Sequence, residues 1–264
     1  MVSGEPALTQ AVCTLWQEQA LPYDCFAPEA CQSLPVQAGQ SAFLLLLPSF
    51  YDLAKLSLYR AWLAQAQKQQ IPVLLLSSLA IFPKRTEGLW QEVHSERADT
   101  ALAQQLMQLE QDAAQGEKHL IVRVGQGMTL QGQDFPALLL AALKQEGSLP
   151  LSAQELFSPT PAPDVAEVLL AMLRQANLQN NLWGTYHFNG VEPVSALKFA
   201  EAFLAEVQPY QPHKVSVEAA EQGMQPRLAV PSGDCTKLFH TFGIKSKPWR
   251  KRLPTVVQQH FTQP

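Results

Sequence analysis

The sequence predicts an α/β protein: a Rossmann-like parallel sheet covered by helices on both faces, with a smaller C-terminal α/β lobe after it. Three observations predict it. Short apolar runs at 42–47, 72–77 and 119–124 read as strands buried on both faces. Helical stretches at 51–69 and 99–115 separate them, and crossovers of that length return the chain to a parallel neighbour. With 47% hydrophobic and only 16% charged residues, the 264-residue chain has enough apolar material for one large core or two abutting lobes.

The elements follow in order. A helical stretch at 8–20 precedes the first long strand, and the helix at 51–69 carries apolar residues at helical spacing. A charged, irregular passage at 84–96 comes after the second strand. In the helix at 99–115, Leu102, Leu106 and Leu109 share one face. After Gly125 the composition shifts to Gly, Gln and Pro, which places a lobe boundary near residue 130: 1–130 and 131–264, integrated as one unit. Helices are expected at 135–145, 163–175 and 195–206. Pro159, Pro161 and Pro163 lead in extended form to Asp164, a candidate cap for the second of these.

Composition narrows the function classes. A formal charge of −4 gives no global attraction to nucleic acid or anionic lipid, so neither is an expected partner. The one basic cluster, Lys245, Lys247, Arg250, Lys251 and Arg252, reads first as a solvated helix start and second as a docking site for a phosphate or an acidic partner. No apolar run approaches the roughly 20 residues of a membrane span, and the first residues lack a signal-peptide pattern, so a cytoplasmic location is expected. Cys13, Cys25, Cys31 and Cys235 show no metal-ligand spacing, nor do the six histidines, and no metal is expected. Ser77 and Ser78 lack the flanking glycines of a nucleophile elbow, which argues against a hydrolase.

A set of spaced motifs in the C-terminal half resembles the substrate lobe of the dTDP-4-dehydrorhamnose reductase family. Its parts are Pro159-Thr160 with Asp164-Val165-Ala166, then Gly184-Tyr186-His187-Asn189-Gly190, then Ser195 with Phe199-Ala200. Pro226-Arg227, Asp234 to Leu238, and Phe242-Gly243-Ile244 with Trp249-Arg250 complete it. Each is weak alone; their shared order and spacing are specific. The resemblance implies a nucleotide-binding lobe at 1–130, a substrate-binding lobe at 131–264, and an NADPH-dependent reduction of a nucleotide-sugar.

The N-terminal half departs from that pattern. Gly4, Ala7 and Gln10 fall on the three glycine positions of the family's G-x-x-G-x-x-G turn, and only Gly4 matches. Gly4 and Ala7 are thus the doubtful cofactor contacts, and NAD(P) is expected only if this reduced turn still binds it. The strand before the turn is cut to Met1-Val2-Ser3, which suggests a missing strand or a start codon placed downstream. The family's Ser/Thr strand end keeps Ser78 as its one retained catalytic position, with Leu79 and Ala80 where Asp and Tyr stand. Counted from Glu110, the Tyr-x-x-x-Lys pair falls on Leu102 and Leu106. Gln126 occupies the family's tryptophan position after Arg123, and Asp134 precedes Phe135 where Asn is expected. Two Tyr-x-x-x-Lys strings elsewhere, Tyr51 to Lys55 and Tyr210 to Lys214, stand outside the pattern.

The expectation is a sugar-nucleotide-reductase-like protein without its catalytic pair, binding a nucleotide-sugar or related nucleotide, or regulating a protein partner or its own dimer. The family-level precedent for the regulatory role is the regulatory subunit of methionine adenosyltransferase, which is similar to these reductases. An exposed leucine face on the helix at 99–115 would point to dimer pairing. The alternative is an active NADP-dependent reductase. The residues that decide are Arg123, Thr160, Tyr186, Asn189 and Arg227: convergence on a polar pocket favours ligand binding, a filled pocket favours a partner.

Overall fold

The computed structural model describes residues 1–30, 34, 42–85, 87–144 and 147–262. Cys31 and Gln145, the latter an expected helix end, lie outside them. The three runs read as buried strands are β2 (Leu44–Leu47), β3 (Val73–Ser78) and β4 (His119–Val124), all buried but for His119; they pair in parallel in that order beside β1 (Val2–Ser3), so the short strand before the turn is present rather than missing. The β3–β4 ladder is the longest, running from Val73 opposite His119 to Ser78 opposite Val124.

Helices α1 (Pro6–Glu18), α2 (Leu53–Leu56), α3 (Tyr59–Lys68) and α4 (Ala101–Ala114) make the crossovers. The helix expected at 51–69 is broken between α2 and α3. Leu58 N–H bonds to Lys55 O, Arg60 to Ser57 and Ala61 to Leu58, the tighter three-residue pattern. Past this break Tyr59 and Trp62 are buried, and their polar tips donate to the carbonyls of Leu47 and Pro28. α4 starts where Thr100 Oγ1 accepts from Ala103 N at 3.1 Å.

Small paired strands build the second layer: β5 (Gln126–Met128), β6 (Ser148–Leu151), β7 (Leu156–Phe157) and β8 (Pro159–Pro161), before β9 (Gly184–Phe188), with β10 (Val194–Ser195) and β11 (Ser216–Ala219) after it. β5 pairs with β8 and β6 with β11 in parallel, while β7 and β10 are antiparallel. Too short for a period-2 signal, they escape a sequence reading. Helices α5 (Phe135–Ala142), α6 (Ala162–Leu178), α7 (Ala196–Val207), α8 (Thr236–Phe242) and α9 (Trp249–Thr262) accompany them. Their core is aromatic, with Phe135, Phe157, Phe199, Phe203 and Trp249 all buried together.

Two segments beyond residue 130 belong to the first layer. β9 pairs with β4 to complete the sheet β1-β2-β3-β4-β9, and α6 packs on α1 beneath it. Asp164 does not cap α6, which begins at Ala162 directly after Pro161. It sits inside the first turn, buried, where its carboxylate suits the positive helix end and accepts from Arg252 Nε at 2.5 Å.

The other edge of the sheet is spare. A doubly wound sheet places two further strands beside the first, in the order 3-2-1-4-5-6. Here the described residues beyond β1 offer one isolated parallel bridge, Val2 to Phe26. Residues 19–43 separate α1 from β2, fewer than the roughly 30 that a βαβ unit takes.

Candidate functional site

Parallel sheets open a crevice at the carboxyl ends of their strands. In this chain the crevice is a cavity of about 60 Å³, and its polar lining includes Glu5, Tyr51, Ser78, Gln126, Asp134 and Thr160. At roughly 10–15 Å³ per ordered water it takes a handful of waters. Pockets for drug-sized ligands run to about 300–1,000 Å³.

The Tyr59 hydroxyl stands over Gly4, where a Cβ would meet it at 2.8 Å. Glu5 follows at the N-cap of α1, without a capping bond, and Pro6 removes one of the first-turn N–H groups. The end of the helix that favours an anion therefore already holds a carboxylate. Asp134 lies beside it, accepting from Tyr51 Oη at 2.9 Å and Thr129 Oγ1 at 3.0 Å. Burial raises both carboxyls above their ordinary range; for Glu5 a bond from Ser49 opposes this and the charge of Asp134 adds to it. Burial and the neighbouring Asp134 likewise push the Tyr51 phenol up, the opposite of what an acid catalyst needs.

Ser78 reaches this cavity, but its Oγ accepts from Ala80 N at 3.1 Å and so caps the turn at Leu79–Ile81. Leu102 and Leu106 do not reach it. They are 7% and 1% exposed, in one apolar cluster with Leu79, Ile81, Phe82 and Trp90. The leucine face of α4 is therefore internal to the chain, which removes the ground for dimer pairing through it. Ala7 lines a separate groove between α1 and α9, away from Gly4.

The five cleft candidates do not converge. Only Thr160 lines the cavity; its hydroxyl donates to Ser158 O and accepts from Gly190 N. Tyr186 donates to Leu182 O, and Asn189 holds the turn at Gly233 by accepting its N–H at 2.8 Å. Arg227 is exposed and bonds Gln133. Arg123 is buried and grips Glu110 through Nε and Nη2, the latter at 2.6 Å; Ser77 donates to the same carboxylate at 2.6 Å. Arg123, Tyr186 and Asn189 are scaffold, their polar atoms bonded to the protein itself, while Arg227 lies outside the cavity.

The Tyr-x-x-x-Lys strings also separate. Tyr51 turns to Asp134 while Lys55 pairs with Glu29 at 3.0 Å; Tyr210 stacks on Phe261. The basic cluster is largely taken up in intrachain pairs: Lys247 with Glu167 at 2.6 Å, Arg252 with Asp164 and Glu167, and Arg250 with Glu192. That leaves the structural reading of the cluster.

His187 closes the buried network. Its Nδ1 lies 3.0 Å from Trp90 O, so that nitrogen carries the proton, and Nε2 faces Arg123 Nη1 at 3.4 Å as an acceptor. Burial, then the Arg123 charge, lowers its pKa to about 3. An unfolded histidine takes a proton below about 6.5 while this one stays neutral, so its contribution to stability is present above that pH and lost as pH falls toward 3. Between pH 7 and 5 the wild type should lose about 2 kcal/mol more than His187→Gln, as read by urea unfolding at each pH.

A parallel sheet with helices on both faces and a second α/β layer over its strand ends defines a Rossmann-like α/β protein. Residues 60–261 match the model of the RmlD substrate binding domain, and the chain belongs to that family. The dTDP-4-dehydrorhamnose reductase of Aggregatibacter actinomycetemcomitans is 28% identical over 146 residues, covering 53% of this chain and 50% of that protein. The match thus spans half the length of that curated relative. A dTDP-4-dehydrorhamnose reductase structure from Clostridium acetobutylicum superposes with a TM-score of 0.77 at 14% identity, covering 98% of both chains. The Bacillus anthracis enzyme, solved in complex with NADP, gives 0.75 at 16% identity over 98% of this chain and 96% of that one. At these identities the structures establish a shared fold.

A dinucleotide of the kind bound in the Bacillus structure would bring its pyrophosphate to the N-terminus of α1. The residues present do not fit it: Tyr59 stands over Gly4, and the cavity is lined by the Glu5 and Asp134 carboxyls, which accept hydrogen bonds where a pyrophosphate needs donors. Sequence reasoning missed Glu5 and Tyr59. For Glu5 the signal was available, a carboxylate placed directly after the turn glycine.

Proposed function

We propose that this chain is a non-catalytic member of its family that acts by binding a protein partner rather than by reducing a nucleotide-sugar. The observation that carries the reading is the burial of Leu102 and Leu106 in an apolar core, because neither side chain has a proton to give. The small cavity and the scaffold roles of Arg123, Tyr186 and Asn189 support a partner over a nucleotide-sugar. NAD(P) has no part in this reading, since the helix end that would take its phosphates carries Glu5. Among the described residues no helix is long and apolar enough to cross a membrane, which accords with a cytoplasmic partner.

The test incubates the chain with NADPH and dTDP-4-dehydro-6-deoxymannose and follows the nicotinamide absorbance. No turnover is expected, and turnover on the order of 1 per second would refute the reading. NADPH, dTDP and dTDP-sugars are likewise expected to leave the melting temperature unchanged, because a ligand that binds only the native state raises it.

A further inference from the structure

The helix end of the crevice carries two carboxyls, Glu5 and Asp134, and we propose that its cavity is a site for a small organic cation bearing a guanidinium group. The inference rests on the reading that this crevice no longer takes a dinucleotide. Three observations carry it. Glu5 and Asp134 both line the cavity, and the charge of Asp134 acts on Glu5. Gln126, only 1% exposed, lines it too, and among the described residues nothing hydrogen-bonds its Oε1. A buried amide oxygen left unpaired costs about 1–3 kcal/mol, so the site is short of a donor, and a cationic donor would hold in ionised form the two carboxyls that burial pushes up.

The remaining walls choose among cations. Phe50, Leu76, Val124 and Leu228 are apolar, and an ammonium or a metal ion keeps its water too firmly to shed it against them. Among the described residues no group of three or more His, Cys, Asp or Glu side chains could hold a metal. A guanidinium is planar and weakly hydrated, can lie against the Phe50 ring, and presents forked N–H groups to carboxylate and amide oxygens together. Its four non-hydrogen atoms match a space that takes roughly four waters.

Titration calorimetry of the full chain with methylguanidinium chloride tests this, against sodium chloride at equal ionic strength and against inorganic pyrophosphate. Saturable one-to-one binding is expected for methylguanidinium alone. It should weaken about tenfold or more in Asp134→Asn and in Gln126→Leu, each checked for folding by circular dichroism, with Glu5→Gln as a further variant. No saturable heat, or unchanged affinity in the folded variants, overturns the proposal, as does tighter binding of pyrophosphate. The two readings fail separately: NADPH turnover removes the non-catalytic reading, whereas a chain that neither turns over nor binds methylguanidinium loses only the cation site.

Discussion

Replacing Arg123 by alanine is expected to destabilise the native state by about 3–5 kcal/mol, the largest effect of any polar substitution in this chain. Arg123 and Glu110 are buried side by side, and each is the other's main compensation: three hydrogen bonds join them. Removing the guanidinium leaves a carboxylate in an apolar cluster with only the Ser77 hydroxyl to satisfy it. Glu110→Ala should cost a similar amount by stranding the arginine beside Phe82 and His187. Replacing both together, Glu110→Leu with Arg123→Met, should recover most of the loss, because an apolar pair removes both desolvation terms at once. Urea unfolding of the wild type, Glu110→Leu, Arg123→Met and the two combined forms a double-mutant cycle. Additive losses would mean that the pair is not coupled and that the network is incidental.

The second large effect concerns the missing catalytic pair. Restoring it by Leu102→Tyr with Leu106→Lys should unfold the protein rather than create a reductase. Leu106 is 1% exposed, and a lysine there must shed its charge or leave the core; either way the loss is expected to reach about 3 kcal/mol or more. The tyrosine fares little better, since α4 packs directly on the turn at Leu79–Ile81 and its hydroxyl would enter the cluster of Phe82, Trp90 and Val230. Loss of the cooperative melt by circular dichroism, with no oxidation of NADPH, is the expected result. A folded double variant that turns over would show that the core can reopen into an active site and would overturn the expectation that the crevice no longer takes the cofactor.

How much was legible follows from the range of each signal. The strands of the sheet could be read because burial on both faces writes continuous apolar runs, and α4 because three leucines repeat at helical spacing. The break between α2 and α3 could not, since its residues fit a helix and only the burial of Tyr59 and Trp62 sets it. At the site, motif positions marked Ser78 as retained and Leu102 and Leu106 as departures, and the structure places the two leucines in the core. They misassigned Arg123, Tyr186 and Asn189 as a cleft, because a motif preserves order along the chain but not the direction a side chain faces. Glu5, Tyr51, Gln126 and Asp134 meet from segments far apart in sequence, and only coordinates bring them together.

The placement of β9 and α6 governs how this protein can be dissected. Since the strand that finishes the first sheet is delivered by the second half of the gene product, a cut at residue 130 would strip β4 of its neighbour and uncover the apolar flank of α1 in one stroke. Neither fragment would be expected to stay monomeric when expressed by itself. Co-expressed, the two are candidates for a split-reporter design, in which native structure returns only on reassembly.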